Sequence, residues 1–436
     1  MPGSRTVTRR EFLARGAGAA SLALGAPYFV SSRALAAPGR VGANDRIGIG
    51  CIGCGRRSAQ LREGLPAEGR IIAAADCHLP RAQSVVKRHG GRAFQDYRAL
   101  LESRDVDAVI VASPDHWHAL HTIHACQAGK DVYVEKPMSL TVREGRRMVE
   151  VARKYRRIVQ VGSQQRSMGP NLRAIDLVHR GKIGQIREVI AANYASPWEC
   201  SLPAQPIPAD LDWDQWCGPT ELAPYHPDIF TPRAKPGWIS FRPWSGGEMT
   251  GWGAHGLDQI QWALGMDASG PTEIWTEGPR FDPPVYREPE SRRRGEQACQ
   301  QPSVVFRYAQ GVVVRLRDGD PGGGTLIGDA GSMRISRGGY KVVGGEAAVA
   351  AQPASGVDTV SHLQHWFHAI RSRTPPNADV EIGHRTATVC HLGNIARWTG
   401  RKLRWDPARE TFLDDDAANA LLDRPRRAGY ALPELT

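Results

Sequence analysis

The stretch Ile47-Gly48-Ile49-Gly50-Cys51-Ile52-Gly53-Cys54-Gly55-Arg56-Arg57-Ser58 carries an apolar strand straight into a glycine turn, and no other feature constrains the fold as tightly. After it, Ile71–Ala75, Ala108–Val111, Val132–Val134 and Ile158–Val161 read as short buried strands. Pro80–His89, Tyr97–Ser103, Ala119–Ala128 and Thr141–Arg156 read as helices between them. Strands alternating with helices make a parallel sheet covered on both faces. The second half changes character. Pro197 to Pro243 is proline-rich, holds Trp198, Trp213, Trp216 and Trp238, and reads as irregular. A helix near Trp252–Leu264 leads into strand patterns at Thr272–Thr276, Ser303–Tyr308, Val312–Leu316, Thr325–Ile327, Ser332–Ile335 and Tyr340–Val343. Helices near Asp358–Ser372 and Arg385–Thr399 and a polar tail follow, which together predict an α+β unit on an open sheet.

The glycine turn has the geometry a dinucleotide needs. Gly53 permits the tight turn, Gly55 lets the backbone approach a pyrophosphate, and the next helix points free N–H groups at the phosphates. Ser58 replaces the third glycine of the fingerprint and is small enough for close packing. Asp76 ends the second strand, 21 residues after Gly55. A carboxylate there accepts hydrogen bonds from ribose hydroxyls and repels a 2′-phosphate, so NAD is favoured over NADP. The competing reading makes Asp76 a helix cap.

Two further motifs carry a resemblance. Val109-Ile110-Val111-Ala112-Ser113-Pro114-Asp115-His116-Trp117-His118 leads to Gly129-Lys130-Asp131-Val132-Tyr133-Val134-Glu135-Lys136-Pro137. With the glycine turn these resemble the Gfo/Idh/MocA oxidoreductases. The resemblance continues through Gln160–Arg166, Trp213–Pro219, Ser245–Gly247 and Gly393–Ala396. It implies an α/β protein: an N-terminal Rossmann domain, here 38–165, then a C-terminal α+β domain with a largely antiparallel open sheet, 166–436, for substrate and oligomerisation. It further implies bound NAD, a carbohydrate or cyclitol substrate between the domains, and a homo-oligomer (dimer or tetramer).

The resemblance also assigns candidate residues. Gly53, Gly55, Arg56, Arg57, Asp76, Pro114, Asp115, His118, Glu135 and Lys136 would hold the cofactor, with Pro114, Asp115 and His118 in the loop after Ala108–Val111. Lys136 would bridge the nicotinamide ribose and a substrate hydroxyl, and a partly desolvated lysine there can exchange protons. The family places an Asp-x-x-x-His pair in the second half. His255 matches the histidine, while the aspartate position is Gly251, which cannot support an imidazole. Asp258, on the same helical face as His255, or Glu248 just upstream would compensate, Asp258 being preferred. Arg166 and Tyr194 are substrate-side candidates. His116, His118, His121 and His124 lack a matching carboxylate cluster, and no metal site is expected.

Thr8-Arg9-Arg10-Glu11-Phe12-Leu13, an apolar run from Ala17 to Val30 and Ala34-Leu35-Ala36 resemble a twin-arginine (Tat) export signal over residues 1–37. This implies a periplasmic or secreted protein exported already folded. Cys51-x-x-Cys54 has no second pair to complete a zinc site and reads as structural. No run approaches the roughly 20 apolar residues of a membrane span. The net charge of +11 is scattered arginine, since only eight of 56 basic residues are lysines; short runs such as Arg292–Arg294 make no nucleic-acid stripe.

Three functions fit: an exported NAD-dependent oxidoreductase with a tightly retained cofactor; a glycosidase, lyase or epimerase using bound NAD for transient oxidation; or a non-catalytic carbohydrate-binding relative.

Overall fold

Six strands form a parallel sheet: β1 Ile47–Ile52, β2 Gly69–Ala75, β3 Arg92–Phe94, β4 Ala108–Val111, β5 Asp131–Val134 and β6 Val159–Val161. The computed structural model describes residues 45–231, 237–283, 285–287, 301–343 and 358–435. The stretch 1–37 that resembles an export signal and the Arg292–Arg294 run lie outside the described residues. The strand order is β3-β2-β1-β4-β5-β6, a doubly wound Rossmann arrangement. The chain reverses direction across the sheet between β1 and β4, and ligands bind at such a switch point, beyond the carboxyl ends of the strands.

The second sheet has nine strands. Beyond β7 Ile186–Ala192 and β8 Glu273–Glu277 come β9 Ser303–Arg307, β10 Val313–Arg317, β11 Gly324–Gly328, β12 Ser332–Ser336 and β13 Gly339–Val343. β14 Leu403–Asp406 and β15 Thr411–Phe412 complete it, in the order β13-β12-β11-β7-β10-β9-β8-β14-β15. β7 and β10 pair in parallel, while the other described neighbours are antiparallel. Helices Gly169–His179, Gly253–Ala263 and Val380–Thr399 bury Ile175, Leu257, Ile260, Leu392 and Ile395 against Val189, Val314 and Phe306 of this sheet.

A division at residue 165 separates the sheets but not the cores. Helix Thr359–Ser372 comes from the second half, yet its Leu363, Trp366 and Phe367 pack with Ile49, Ile110 and Tyr133 of the parallel sheet. The Trp-rich stretch is less irregular than its composition implies. It forms helices Trp213–Cys217 and Pro227–Phe230 around its own core of Trp213, Trp216, Phe241 and Trp244. The Trp213 and Trp216 rings stack at 4.4 Å.

An ion network joins the two halves. From helix Val142–Lys154, Arg146 donates to Glu381 at 2.8 Å and to Glu410 at 2.6 Å, and His384 meets Glu410 at 2.7 Å. Burial opposes the charge of Glu381, but Arg146 and Arg385 outweigh it and hold the carboxyl down to about 2. A carboxyl depressed in the folded state contributes stability above its unfolded value near 4.3, and that contribution is lost as pH falls toward 2. Arg146→Met should therefore cost about 2 kcal/mol at pH 7, discounted for partial exposure. It should also flatten the loss of stability between pH 4.5 and 2. Urea melts from pH 7 down to pH 2 check both effects.

Candidate active site

The carboxyl ends of the parallel strands open onto a cavity of about 370 Å³. Gly53 has φ +82°, and a Cβ there would lie 2.7 Å from the Ser113 amide nitrogen, so the loops after β1 and β4 touch only because residue 53 is glycine. A Cβ on Gly55 would meet nothing within 4 Å, so its backbone is open to a ligand. Helix Arg56–Glu63 begins there without a side-chain cap, leaving its first N–H groups for an anion. Ser58 is fully buried, as close packing requires.

Asp76 combines two roles. Its carboxylate accepts the Cys54 N–H at 2.8 Å and the His78 N–H at 2.9 Å, bracing the glycine turn. It also lines the cavity, and a carboxylate keeps further lone pairs for ribose hydroxyls. The donor set fits a dinucleotide: an uncapped helix start, an open glycine and an acidic strand end. Burial pushes the Cys51 thiol up to about 11, consistent with a structural cysteine.

Arg56 and Arg57 both line the cavity, and Arg57 Nε donates to Glu135 Oε1 at 2.7 Å. Burial would raise the Glu135 carboxyl, but Arg57 and Lys136 hold it below the usual range. This pair pins the helix after β1 to the end of β5. The helix after β4 is Asp115–Gln127 with Pro114 as its N-cap, so Asp115 and His118 lie in a first turn and not in a loop. Pro114 preorganises that start, and the Asp115 carboxylate accepts the Ser245 hydroxyl at 2.7 Å. His118 meets the Pro137 carbonyl at 2.6 Å and the Ser113 carbonyl at 2.8 Å, bracing the loops after β4 and β5 together. The neighbouring histidines pack: His121 stacks on Trp117 at 4.5 Å, and burial pushes His116 down to about 3. Among the described residues, no group of three His, Cys, Asp or Glu side chains could hold a metal ion.

Lys136 and His255 line the same cavity. Lys136 Nζ donates to the Gly251 carbonyl at 3.2 Å. Gln165 orients His255: its Nε2 donates to the His255 carbonyl at 3.1 Å, leaving Oε1 to face His255 Nδ1 at 3.0 Å. That amide orientation places the imidazole proton on Nδ1 and leaves Nε2 as the proton acceptor.

Three expectations are corrected. Asp258 does not compensate at His255: its buried carboxylate takes Arg166 Nε at 2.9 Å and the Thr386 hydroxyl at 2.9 Å. Arg166 is only 2% exposed and bridges Asp258 to Asp267, with Nη2 donating to Asp267 Oδ1 at 2.8 Å, so it holds helices rather than substrate. Tyr194 donates its hydroxyl to the Pro321 carbonyl at 3.0 Å and packs against Gly256. Neither Arg166 nor Tyr194 lines the cavity.

Sequence reasoning missed Gln164, Gln165 and Arg337. Gln164 donates to Glu135 Oε1 at 3.2 Å, and Arg337, from the β12–β13 turn, donates to Gln164 Oε1 at 3.0 Å. Of the stretch Gln164-Gln165-Arg166, Gln164 lines the cavity and Gln165 stands behind it on His255. Trp216, Phe230 and Trp238 wall the cavity beside Asp76, Arg81 and Gln95. They are fixed there by an Asp212 N–H bond to the Cys77 carbonyl at 3.0 Å and a Trp117 Nε1 bond to the Trp216 carbonyl at 3.0 Å.

A family model described as an oxidoreductase family with an NAD-binding Rossmann fold matches residues 47–163, and its C-terminal alpha/beta domain matches 185–432. The chain belongs to the Gfo/Idh/MocA oxidoreductase family. It is similar to inositol 2-dehydrogenase of Rubrobacter xylanophilus, 32% identical over 147 residues, 33% of this chain and 42% of that protein. It is also similar to dTDP-3,4-didehydro-2,6-dideoxy-alpha-D-glucose 3-reductase of Actinomadura kijaniata, 33% identical over 155 residues, 35% of this chain and 46% of that protein. The chain thus spans less than half the length of these curated relatives. Among solved structures, the aldose-aldose oxidoreductase of Caulobacter crescentus with glycerol has a TM-score of 0.61 at 18% identity, covering 82% of this chain and 99% of that one. The WlbA dehydrogenase of Bordetella pertussis with NADH and UDP-GlcNAcA has a TM-score of 0.59 at 18% identity, covering 83% and 99%. At these identities the likeness is one of fold.

Asp76→Ala should weaken NAD binding by roughly 10- to 100-fold and narrow the preference over NADP, because it removes both the acidic rim and the brace on the turn. Fluorescence titration with NADH and NADPH measures both. Unchanged affinity for the two would remove Asp76 from the ribose site.

Proposed function

We propose that this protein is an exported NAD-dependent oxidoreductase acting on a CH–OH group of a carbohydrate, cyclitol or derivative, with its cofactor tightly retained. One observation carries the activity: Lys136 and His255 both line the cavity that Gly55 and Asp76 also line. Bound NAD supplies the acceptor for a hydride leaving the alcohol carbon. Gly53, Gly55, the start of helix Arg56–Glu63 and Asp76 would hold it. His255 Nε2 takes the hydroxyl proton, because Gln165 keeps the Nδ1 proton in place. The Lys136 ammonium donates to the same oxygen and stabilises its developing charge. The names of relatives acting on inositol and on a dTDP-linked sugar support the substrate class.

Retention is supported by Trp216, Phe230 and Trp238, which wall the cavity beside Asp76. Export is supported by the Tat-like sequence in residues 1–37. The same wall favours a second reading, transient oxidation of a glycoside with the cofactor regenerated in place. Purified protein should carry close to one dinucleotide per chain. Under anaerobic conditions it should gain absorbance at 340 nm on adding a member of a sugar and cyclitol panel. Product formation without a lasting 340 nm signal selects the second reading, and a cofactor-free protein that turns over nothing contradicts both. Lys136→Ala should keep the fold and lower single-turnover NADH formation by roughly 100-fold or more.

A further inference from the structure

The family position for a carboxylate, residue 251, is glycine, and the structure puts another carboxylate in the vacated space. A Cβ built on Gly251 would lie 2.7 Å from Glu248 Oε2 and 3.4 Å from Glu248 Cδ. That is about the reach of an aspartate's own carboxylate oxygen from its Cβ, so residue 251 and Glu248 compete for one volume. The third neighbour of that Cβ is Ile239, at 3.5 Å, whose side chain belongs to the cavity wall. Lys136 Nζ is anchored on the carbonyl of the same Gly251. Of the two carboxylates flanking His255 in sequence, Asp258 is held by Arg166 and Thr386, while Glu248 borders Gly251.

We propose that Glu248 is the acidic partner this site lacks at position 251, a positioning residue that acts on Lys136 across Gly251. The proposal rests on the oxidoreductase reading for its catalytic consequence, but its electrostatic core does not. A carboxylate beside an ammonium favours the charged form, and Lys136 must stay charged to donate to a substrate oxygen. Lys136 is also faced by Glu135 at its own strand end and by Cys390 of helix Val380–Thr399, and Asp115, His118 and His255 line the same cavity. None of these changes in the variants below.

The test is a carboxylate swap. With only eight lysines, 13C-methylation resolves each in an NMR titration, and the Lys136 signal is identified by its loss in Lys136→Arg. Glu248→Gln should lower the Lys136 midpoint by about one pH unit. Gly251→Asp alone should destabilise the protein, because two carboxylates crowd one space. The double variant Glu248→Ala, Gly251→Asp should restore the midpoint to within a few tenths of a unit, with melting curves showing that each protein is folded. With myo-inositol or glucose as the probe, the alkaline limb of NADH formation should move with the same midpoint. A Lys136 midpoint unmoved by Glu248→Gln, or a double variant no better than Glu248→Gln, would overturn the proposal. If the midpoint moves as expected but no sugar is turned over, the function is wrong and the carboxylate assignment stands.

Discussion

A parallel sheet has two apolar faces, and this chain covers one of them with a helix from its far end. Leu363, Trp366 and Phe367 of helix Thr359–Ser372 close over Ile49, Ile110 and Tyr133, so β1, β4 and β5 are fully buried only when the second half is in place. Burying side chains of that size contributes about 2–3 kcal/mol each, an upper estimate. Everything at the site depends on this closure. The polypeptide continues from that cover into helix Val380–Thr399, which packs on helix Val142–Lys154 and beneath the nine-stranded sheet, and the Arg146–Glu381–Glu410 network locks the junction. Lys136 at the end of β5 is thereby held against Gly251, and the cavity has walls from both halves.

Within that frame the electrostatics separate into two kinds. Arg166 and Asp258 form a buried pair that Thr386 and Asp267 complete, a structural use of charge in which every partner is needed to offset desolvation. Around the cavity, orientation comes largely from neutral or backbone groups: Gln165 on His255, two carbonyls on His118, Ser245 on Asp115. A neutral amide fixes the imidazole tautomer without adding charge. The basicity of His255 is then set by its surroundings rather than by a fixed aspartate.

Local patterns were legible in the sequence, and long-range partners were not. Strands buried on both faces announce themselves as apolar runs, so β1, β2, β4, β5 and β6 were found with small shifts of boundary. β3, β14 and β15 are short, between two and four residues, and carry too little pattern. The sequence pattern starts the helix after β4 at Ala119, whereas it begins at Asp115, where Pro114 and Asp115 are good start signals. The tryptophan-rich stretch reads as irregular because its helices, Trp213–Cys217 and Pro227–Phe230, are only five and four residues long and too short to show a period. At the site, the glycine turn, Asp76, Glu135 and Lys136 sit in contiguous motifs and were readable. Arg166, Tyr194 and Asp258 were misread because their partners come from remote segments, as with Arg166 and Asp258, 92 positions apart. Arg337 had no motif to mark it at all.

Every role assigned at the cavity follows from where a dinucleotide would lie, and a crystal structure of the protein soaked with NAD measures that directly. Adenosine density is expected against Asp76 beneath Trp216 and Trp238, with pyrophosphate density over Gly55 and the nicotinamide ring beside Lys136 and His255. Density running the other way, or a dinucleotide bound outside this cavity, would contradict that placement.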